Sequence, residues 1–339
     1  MNFVNRFQTA SSVFVRPSEC EFGKAMPKYL LFLLTLLATA VSFARGAPEA
    51  DTFLWKVSKS GRPDAYLLGT VHVGKVGSRL GALPQQALDK VAQVVVESNA
   101  DELAQPRHAA EAARMMQLMS DKRTLNQSLG RARVWALSRM AAQGHDPIDI
   151  SGSRHDKPWV VWAMLQTAYS PKGYSYQYGV DNLLIEAAQK QQKPVIALER
   201  SEPLHYFNAI PENTVKRSLD MLIRHHRAVL SEQKKLVEDY QAGRAGALWQ
   251  EISNPQTQLK YQPKQDHAYW HDFMYQKLLI ERNQQWLPRL IEILPQKPTL
   301  VAVGAAHLFG EQGLILRLRQ VGYQVTPVLP ESVRTSLEN

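Results

Sequence analysis

Apolar positions recur along this chain with two periods, near two at its ends and near 3.6 between them. Residues 52–72 (TFLWKVSKSGRPDAYLLGTVH) hold two β-rich runs around Gly61-Arg62-Pro63, the pattern of two strands joined by a turn. Leu83, Ala87, Leu88 and Val91 share one helical face and predict a helix over 83–92. The β-branched run in QVVVESNAD stops at Glu97 and predicts a short buried strand. Residues 107–140, rich in Ala, Met, Leu and Arg, predict helices interrupted at Gly130. DKPWVVWAMLQTA predicts a buried helix with Pro158 in its first turn.

The second half repeats these signals. GVDNLLIEAAQKQQKPVIALE predicts a helix capped by Asp181, then a strand over 195–198 that ends on Glu199. A charged helical stretch covers 213–252 and breaks around Gly243 and Gly246; another runs over 267–293. The chain closes with a strand in PTLVAVGAAH, a helix in EQGLILRLRQVG ended by Gly322, and a strand in YQVTPV. Strands at both ends and once in the middle predict an α/β fold. A central mixed or mostly parallel sheet is flanked by helices, with a helical insertion over 213–252. Residues 50–330 read as a single domain.

Residues 26–44 change that picture. MPKYLLFLLTLLATAVSFA has an early lysine, a short apolar core and small residues two apart, the pattern of a secretory signal peptide. The core is shorter than the ~20 residues of a membrane span. Residues 1–25 are an upstream extension, so that translation from Met26 is as consistent with the pattern as translation from Met1. The only cysteine, Cys20, precedes the apolar core, so the mature chain is expected to form no disulfide and to use no thiol. Export to the periplasm or the exterior is the expected location. Of the net charge of +9, residues 1–46 carry +3. The rest is dispersed among acids, and no nucleic-acid-binding module is recognisable.

Four predicted strands end on a reactive group: His72, Glu97, Glu199 and His307. Two of them share a context, YLLGTVH and LVAVGAAH, each an apolar run broken by a glycine three residues before a histidine. In open α/β sheets functional groups gather beyond the carboxyl ends of the strands. Parallel neighbouring strands would therefore bring two imidazoles and one or two carboxylates together, a common set for a divalent metal. Gly69 and Gly304 would let backbone or ligand approach closely. Glu97 follows the next strand after His72 and is the stronger carboxylate; Glu199 reads equally as a supporting or surface acid. His267 and His271 stand one helical turn apart but lack the H-E-x-x-H glutamate, and His225-His226 cannot share a helical face. G-x-S-x-G, P-loop and G-x-G-x-x-G motifs are absent.

Taken in order, YLLGTVH, VVVES, GVDNLLIEAAQKQQKPVIALE, ERNQQWLPRLIEIL and LVAVGAAHLFGEQGLILRLRQVGYQVTPV resemble the TraB/GumN family over residues 50–330. That family includes the Tiki proteases and is distantly similar to erythromycin esterases and ChaN-like proteins. The resemblance implies an α/β fold with both G-x-x-H motifs at one site, and metal-dependent proteolysis with manganese, cobalt or zinc. It carries His72, Glu97 and His307 over as the catalytic or metal-binding set, with Glu199 and the substrate-binding pair Arg282-Asn283 beside them. Arg282 would clamp a substrate carboxylate or orient Glu97. The polar end ESVRTSLEN lacks the membrane segment of some relatives, so no stable membrane anchor is expected after the leader is removed. The expectation is an exported metal-dependent hydrolase acting on a peptide or protein. A metal-free esterase-like hydrolase and a peptide-sequestering protein are the alternatives.

Overall fold

The computed structural model describes residues 46–330; the predicted signal peptide and Cys20 lie outside them. Among the described residues eight strands form: β1 (Leu54–Ser58), β2 (Ala65–Thr70), β3 (Gly74–Lys75), β4 (Gln93–Val96), β5 (Tyr174–Ser175), β6 (Val195–Ala197), β7 (Thr299–Gly304) and β8 (Gln324–Pro327). Six of them make one sheet in the order β6-β4-β7-β2-β1-β8, and β3 pairs with β5 apart from it. Strands β6, β4, β7 and β2 are mutually parallel, while β1 runs antiparallel to both its neighbours. The sheet is mixed and the fold is α/β, as the pattern predicts.

Side-chain alternation explains why the parallel strands are apolar throughout. Leu67, Val95, Val301 and Val303 face one way, into a core closed by the helices Ala245–Ser253, Arg282–Ile293 and Leu314–Gln320. Leu68, Val94, Val96, Leu300 and Ala302 face the other way, against the helices Ala82–Asp89 and Val180–Lys190. A parallel sheet covered on both faces has no polar face to show. The helices Ala109–Met119, Arg131–Ala141, Pro158–Ala168 and Glu202–Asn208 build a further layer with much of Glu212–Gln241 and residues 267–278. Trp159 and Trp162 of this region sit in its core, whereas Trp135 is 62% exposed.

Several boundaries differ from the sequence pattern for local reasons. The first predicted helix ends at Asp89, because Ala92 already donates its N–H to Pro298 O at 2.8 Å as the chain enters the sheet. The long charged helix runs Glu212–Gln241 and stops where Gly243 adopts a φ of +71°; Gly246 lies inside the next helix. The stretch over 267–293 is continuous, but Asp272–Glu281 within it is wound as a π-helix. The chain at 107–140 breaks twice. One break is at Thr124, which forms a capping box with Gln127, and the other at Gly130, whose φ is +86°.

Gly69 shows what the first G-x-x-H glycine does. A Cβ there would stand 2.8 Å from Leu308 Cδ1 and 3.1 Å from Ala305 Cα, so the glycine lets the turn after β7 close onto β2. Overpacking a filled site costs about 1–3 kcal/mol. Gly69→Val is therefore expected to lose about 1–3 kcal/mol in urea denaturation. Gly81→Ala, whose Cβ meets Pro84 at an ordinary 3.6 Å, should stay within about 0.5 kcal/mol.

Candidate functional site

The four parallel strands deliver their terminal groups to one edge of the sheet. Glu199 follows β6, Glu97 follows β4, His307 follows β7 through a 3-10 turn, and His72 follows β2. Parallel pairing makes this unavoidable: β2, β4 and β6 reach their carboxyl ends together with β7. The register continues past β6, with Leu198 N–H donating to Val96 O at 2.8 Å and Glu199 N–H to Glu97 O at 2.9 Å.

Arg282 occupies the centre of this edge. It is 1% exposed, at the point where the π-helix gives way to the helix Arg282–Ile293. Its Nε donates to both oxygens of Glu199 at 3.1 Å, and Nη2 donates to Glu199 Oε1 and Glu97 Oε2, each at 2.5 Å. Nη1 donates to Leu278 O at 3.1 Å and faces His307 Nε2 at 3.2 Å. All five guanidinium N–H groups thus have acceptors within the protein. Of the two expected roles for Arg282, the structure displays the contact that orients Glu97. Glu97 Oε1 accepts the Gly304 N–H at 2.6 Å, and Trp286 Nε1 donates to Glu199 Oε2 at 3.0 Å. Burial, together with the Glu97 charge, holds the Glu199 carboxyl above its ordinary value despite Arg282.

His307 is held from both sides. The Asn283 amide donates from Nδ2 to His307 O at 3.2 Å and Gln312 O at 2.8 Å, so its Oδ1 accepts from His307 Nδ1 at 2.7 Å. Nε2 is then an acceptor, turned toward Arg282. Burial, the adjoining guanidinium and His72 push its pKa well below the usual imidazole value, so His307 stays neutral.

His72 lies on the other side of the site and is arranged differently. Its Nδ1 meets Asp181 Oδ2 at 2.7 Å, while Thr70 donates its hydroxyl to Asp181 Oδ1 at 2.5 Å. Burial alone would lower the His72 pKa, but the Asp181 charge and hydrogen bond outweigh it and raise the value. Burial would likewise raise Asp181, yet His72, the Thr70 hydroxyl and a backbone N–H hold it below the ordinary range. Nδ1 is therefore the donor, and Nε2 of neutral His72 carries a lone pair. That atom is buried and has no hydrogen-bond partner among the described residues.

The sequence pattern predicts Asp181 as a helix cap. The N-cap is Gly179, and Asp181 sits in the first turn with its carboxylate spent on His72 and Thr70. Gly179 makes this fit possible, since a Cβ would fall 2.4 Å from His72 O. Val180 N–H donates to Val71 O at 2.9 Å and pins the helix start to the end of β2. Its only trace in the sequence is a carboxylate two residues after a glycine at a helix start, which capping explains as well. Of the rival histidines, His267 Nε2 meets Gln262 O at 3.0 Å, His226 Nδ1 meets Ile223 O at 2.8 Å, His225 stacks on Tyr261 and His271 packs against Tyr275, and none lies at the strand ends.

Two cavities open at His72. One of about 20 Å³ lies among His72, Glu97, Ser98, Tyr176 and Asp181, and has room for a single water. The other, of about 250 Å³, reaches from Thr70, His72 and Ala305–His307 into the junction between the sheet and the helical layer.

The match to family models is decisive at this point: residues 53–327 fit the TraB/PrgY/gumN family. The chain belongs to the TraB/PrgY/gumN family. Two relatives are the uncharacterized proteins YbaP of Shigella flexneri and of Escherichia coli (strain K12). Each is 24% identical over 267 residues, which cover 78% of this chain and 90% of the relative.

The set His72, Glu97 and His307, as this member of the TraB/PrgY/gumN family arranges it, does not fit one divalent ion. Glu97 Oε2 and His307 Nε2 both face the Arg282 cation, and Glu97 Oε1 faces the Gly304 N–H. His72 Nε2 is the remaining free donor of the three. Among the described residues no group of three His, Cys, Asp or Glu side chains is placed to hold a metal.

Removing one partner from a buried ion pair costs about 3–5 kcal/mol. Arg282→Met is expected to lose about that much in urea denaturation at pH 7, and Arg282→Lys most of it, for want of the planar fork. Arg282→Met would strip Glu199 of the guanidinium that opposes the effect of its burial, and a raised folded pKa contributes stability only at low pH. The deficit should therefore shrink between pH 7 and pH 5. A deficit below about 1 kcal/mol would show that the guanidinium is dispensable.

Proposed function

We propose that this protein is an exported hydrolase of acyl bonds, esters or amides, in which His72 activates the attacking water and Asp181 orients and charges the imidazole. The observation that carries the reading is His72: its Nε2 is buried and without a partner among the described residues, its Nδ1 is backed by a carboxylate, and the residue lines both a water-sized cavity and a larger one. A neutral imidazole so oriented is a general base. Export rests on the leader at 26–44.

In the proposed reaction a water beside His72 and Glu97 attacks the acyl carbon, and Nε2 takes its proton. The tetrahedral intermediate collapses with cleavage of the bond to the leaving oxygen or nitrogen, which receives that proton back from the imidazolium. Asp181 stabilises the imidazolium without itself being protonated, as its lowered pKa requires. Glu97 turns Oε2 to Arg282 and Oε1 to Gly304, and holds its wall of the smaller cavity in place. His307, neutral and fixed by Asn283, closes the site on the β7 side.

The base must be neutral to act, so kcat/KM should rise with pH through a pKa above the ordinary imidazole value. His72→Gln should lose about 10²–10⁴-fold in kcat/KM on a chromogenic ester. Asp181→Asn should lower kcat and move the limb of the pH profile to lower pH, because the carboxylate that raises His72 is gone. A flat profile, or full activity in His72→Gln, would remove His72 from the chemistry. Turnover that EDTA abolishes and manganese, cobalt or zinc restores would replace this mechanism with the metal-dependent one. Binding of peptides without turnover would favour the sequestering protein.

A further inference from the structure

The larger cavity has a shape and a lining that name a substrate class. Ser218, Leu222, Val229 and Leu236 of the helix Glu212–Gln241 all face it. Steps of four and seven residues keep them on one helical face, so the cavity runs along that face rather than across it. It is therefore elongated rather than round. Its opposite walls are predominantly aliphatic, with Leu165, Leu248, Ile252 and Met274, interrupted by Gln166 and Gln258.

An extended peptide in such a channel needs a partner for each N–H and C=O group. Strands β2 and β7, whose ends reach the cavity, already have neighbours on both sides and present no free edge. The isolated side chains of Gln233 and Gln262 could meet single groups of a peptide but not a run of them, whereas a hydrocarbon chain has no such requirement. Charge narrows the choice further: Glu232 and Glu251 line the cavity, and no lysine or arginine does. Glu232 is paired with Lys260 at 2.7 Å, but among the described residues no cation stands at ion-pair distance from Glu251. Gln233 and Gln262, also on the wall, each carry a buried side-chain oxygen that lacks a donor. These groups favour a neutral or cationic occupant over an anion.

We infer that the cavity binds the hydrocarbon chain of an uncharged or cationic acyl ester, placing its carbonyl at His72. The inference rests on the hydrolase reading for the carbonyl and on the cavity alone for the chain. A dry cavity of about 150 Å³ accepts benzene, so about 250 Å³ corresponds to a chain of about ten carbons.

Two measurements separate the parts. The first follows hydrolysis of p-nitrophenyl esters from acetate to laurate. The expected kcat/KM peaks near the decanoate at about 100-fold above acetate, and Val229→Trp, which fills the channel, moves the peak to shorter chains. The second titrates His72→Gln calorimetrically with 1-decanol, decyltrimethylammonium, decanoate and an uncharged apolar heptapeptide. The alcohol and the cation should bind about 10-fold or more tightly than decanoate. Chain binding without hydrolysis of any ester would reject the hydrolase reading and keep the cavity assignment. Equal affinity for decanoate would overturn the charge preference. A heptapeptide that competes as well as the alcohol, or no chain binding at all, would overturn the inference itself.

Discussion

A guanidinium buried between two carboxylates organises this molecule. Arg282 touches Glu97 from the end of β4, Glu199 from the end of β6, and His307 from the turn after β7. Three strand ends are thereby tied to one helix across the sheet. Burying those charges is expensive in isolation, and their geometry offsets the cost because every guanidinium N–H finds an acceptor. The Trp286 ring beneath the guanidinium, at 4.6 Å, adds a cation–π contact and donates to Glu199 as well.

The π-helix Asp272–Glu281 belongs to this constraint. Its wider turns end at Arg282, and Leu278 within it supplies a carbonyl to Nη1. A run of π winding in an otherwise continuous helix is uncommon and concentrates at functional sites. Here it coincides with the residue whose placement the site depends on. Asn283, the next residue, holds His307 through its amide, so two consecutive side chains set both the cation and the tautomer of the neighbouring imidazole.

The site has two halves of opposite character. On the Arg282 side every polar group is satisfied within the protein and His307 is kept neutral, an arrangement suited to rigidity. On the His72 side one nitrogen is left unpaired beside open volume, and Asp181 sustains its basicity. Family membership places this chain among TraB/PrgY/gumN proteins, and the division within the site is what a proposal of chemistry has to rest on.

The sequence alone determined the sheet and the edge where the reactive groups emerge. Apolar runs buried on both faces, each ended by a histidine or glutamate, carry that information locally, and parallel pairing converts it into convergence without further input. Residues His72, Glu97, Glu199 and His307 were legible for this reason. Asp181 was not, since a carboxylate in a first helical turn reads as a cap until the 109-residue separation from His72 is closed. Whether Glu97 and His307 face a vacant centre or a cation was likewise a tertiary matter. It turned on Arg282, 185 residues from Glu97, and on a helical winding that no periodicity announces. Side-chain pairing across such distances depends on how whole elements pack, and only the folded chain decides it.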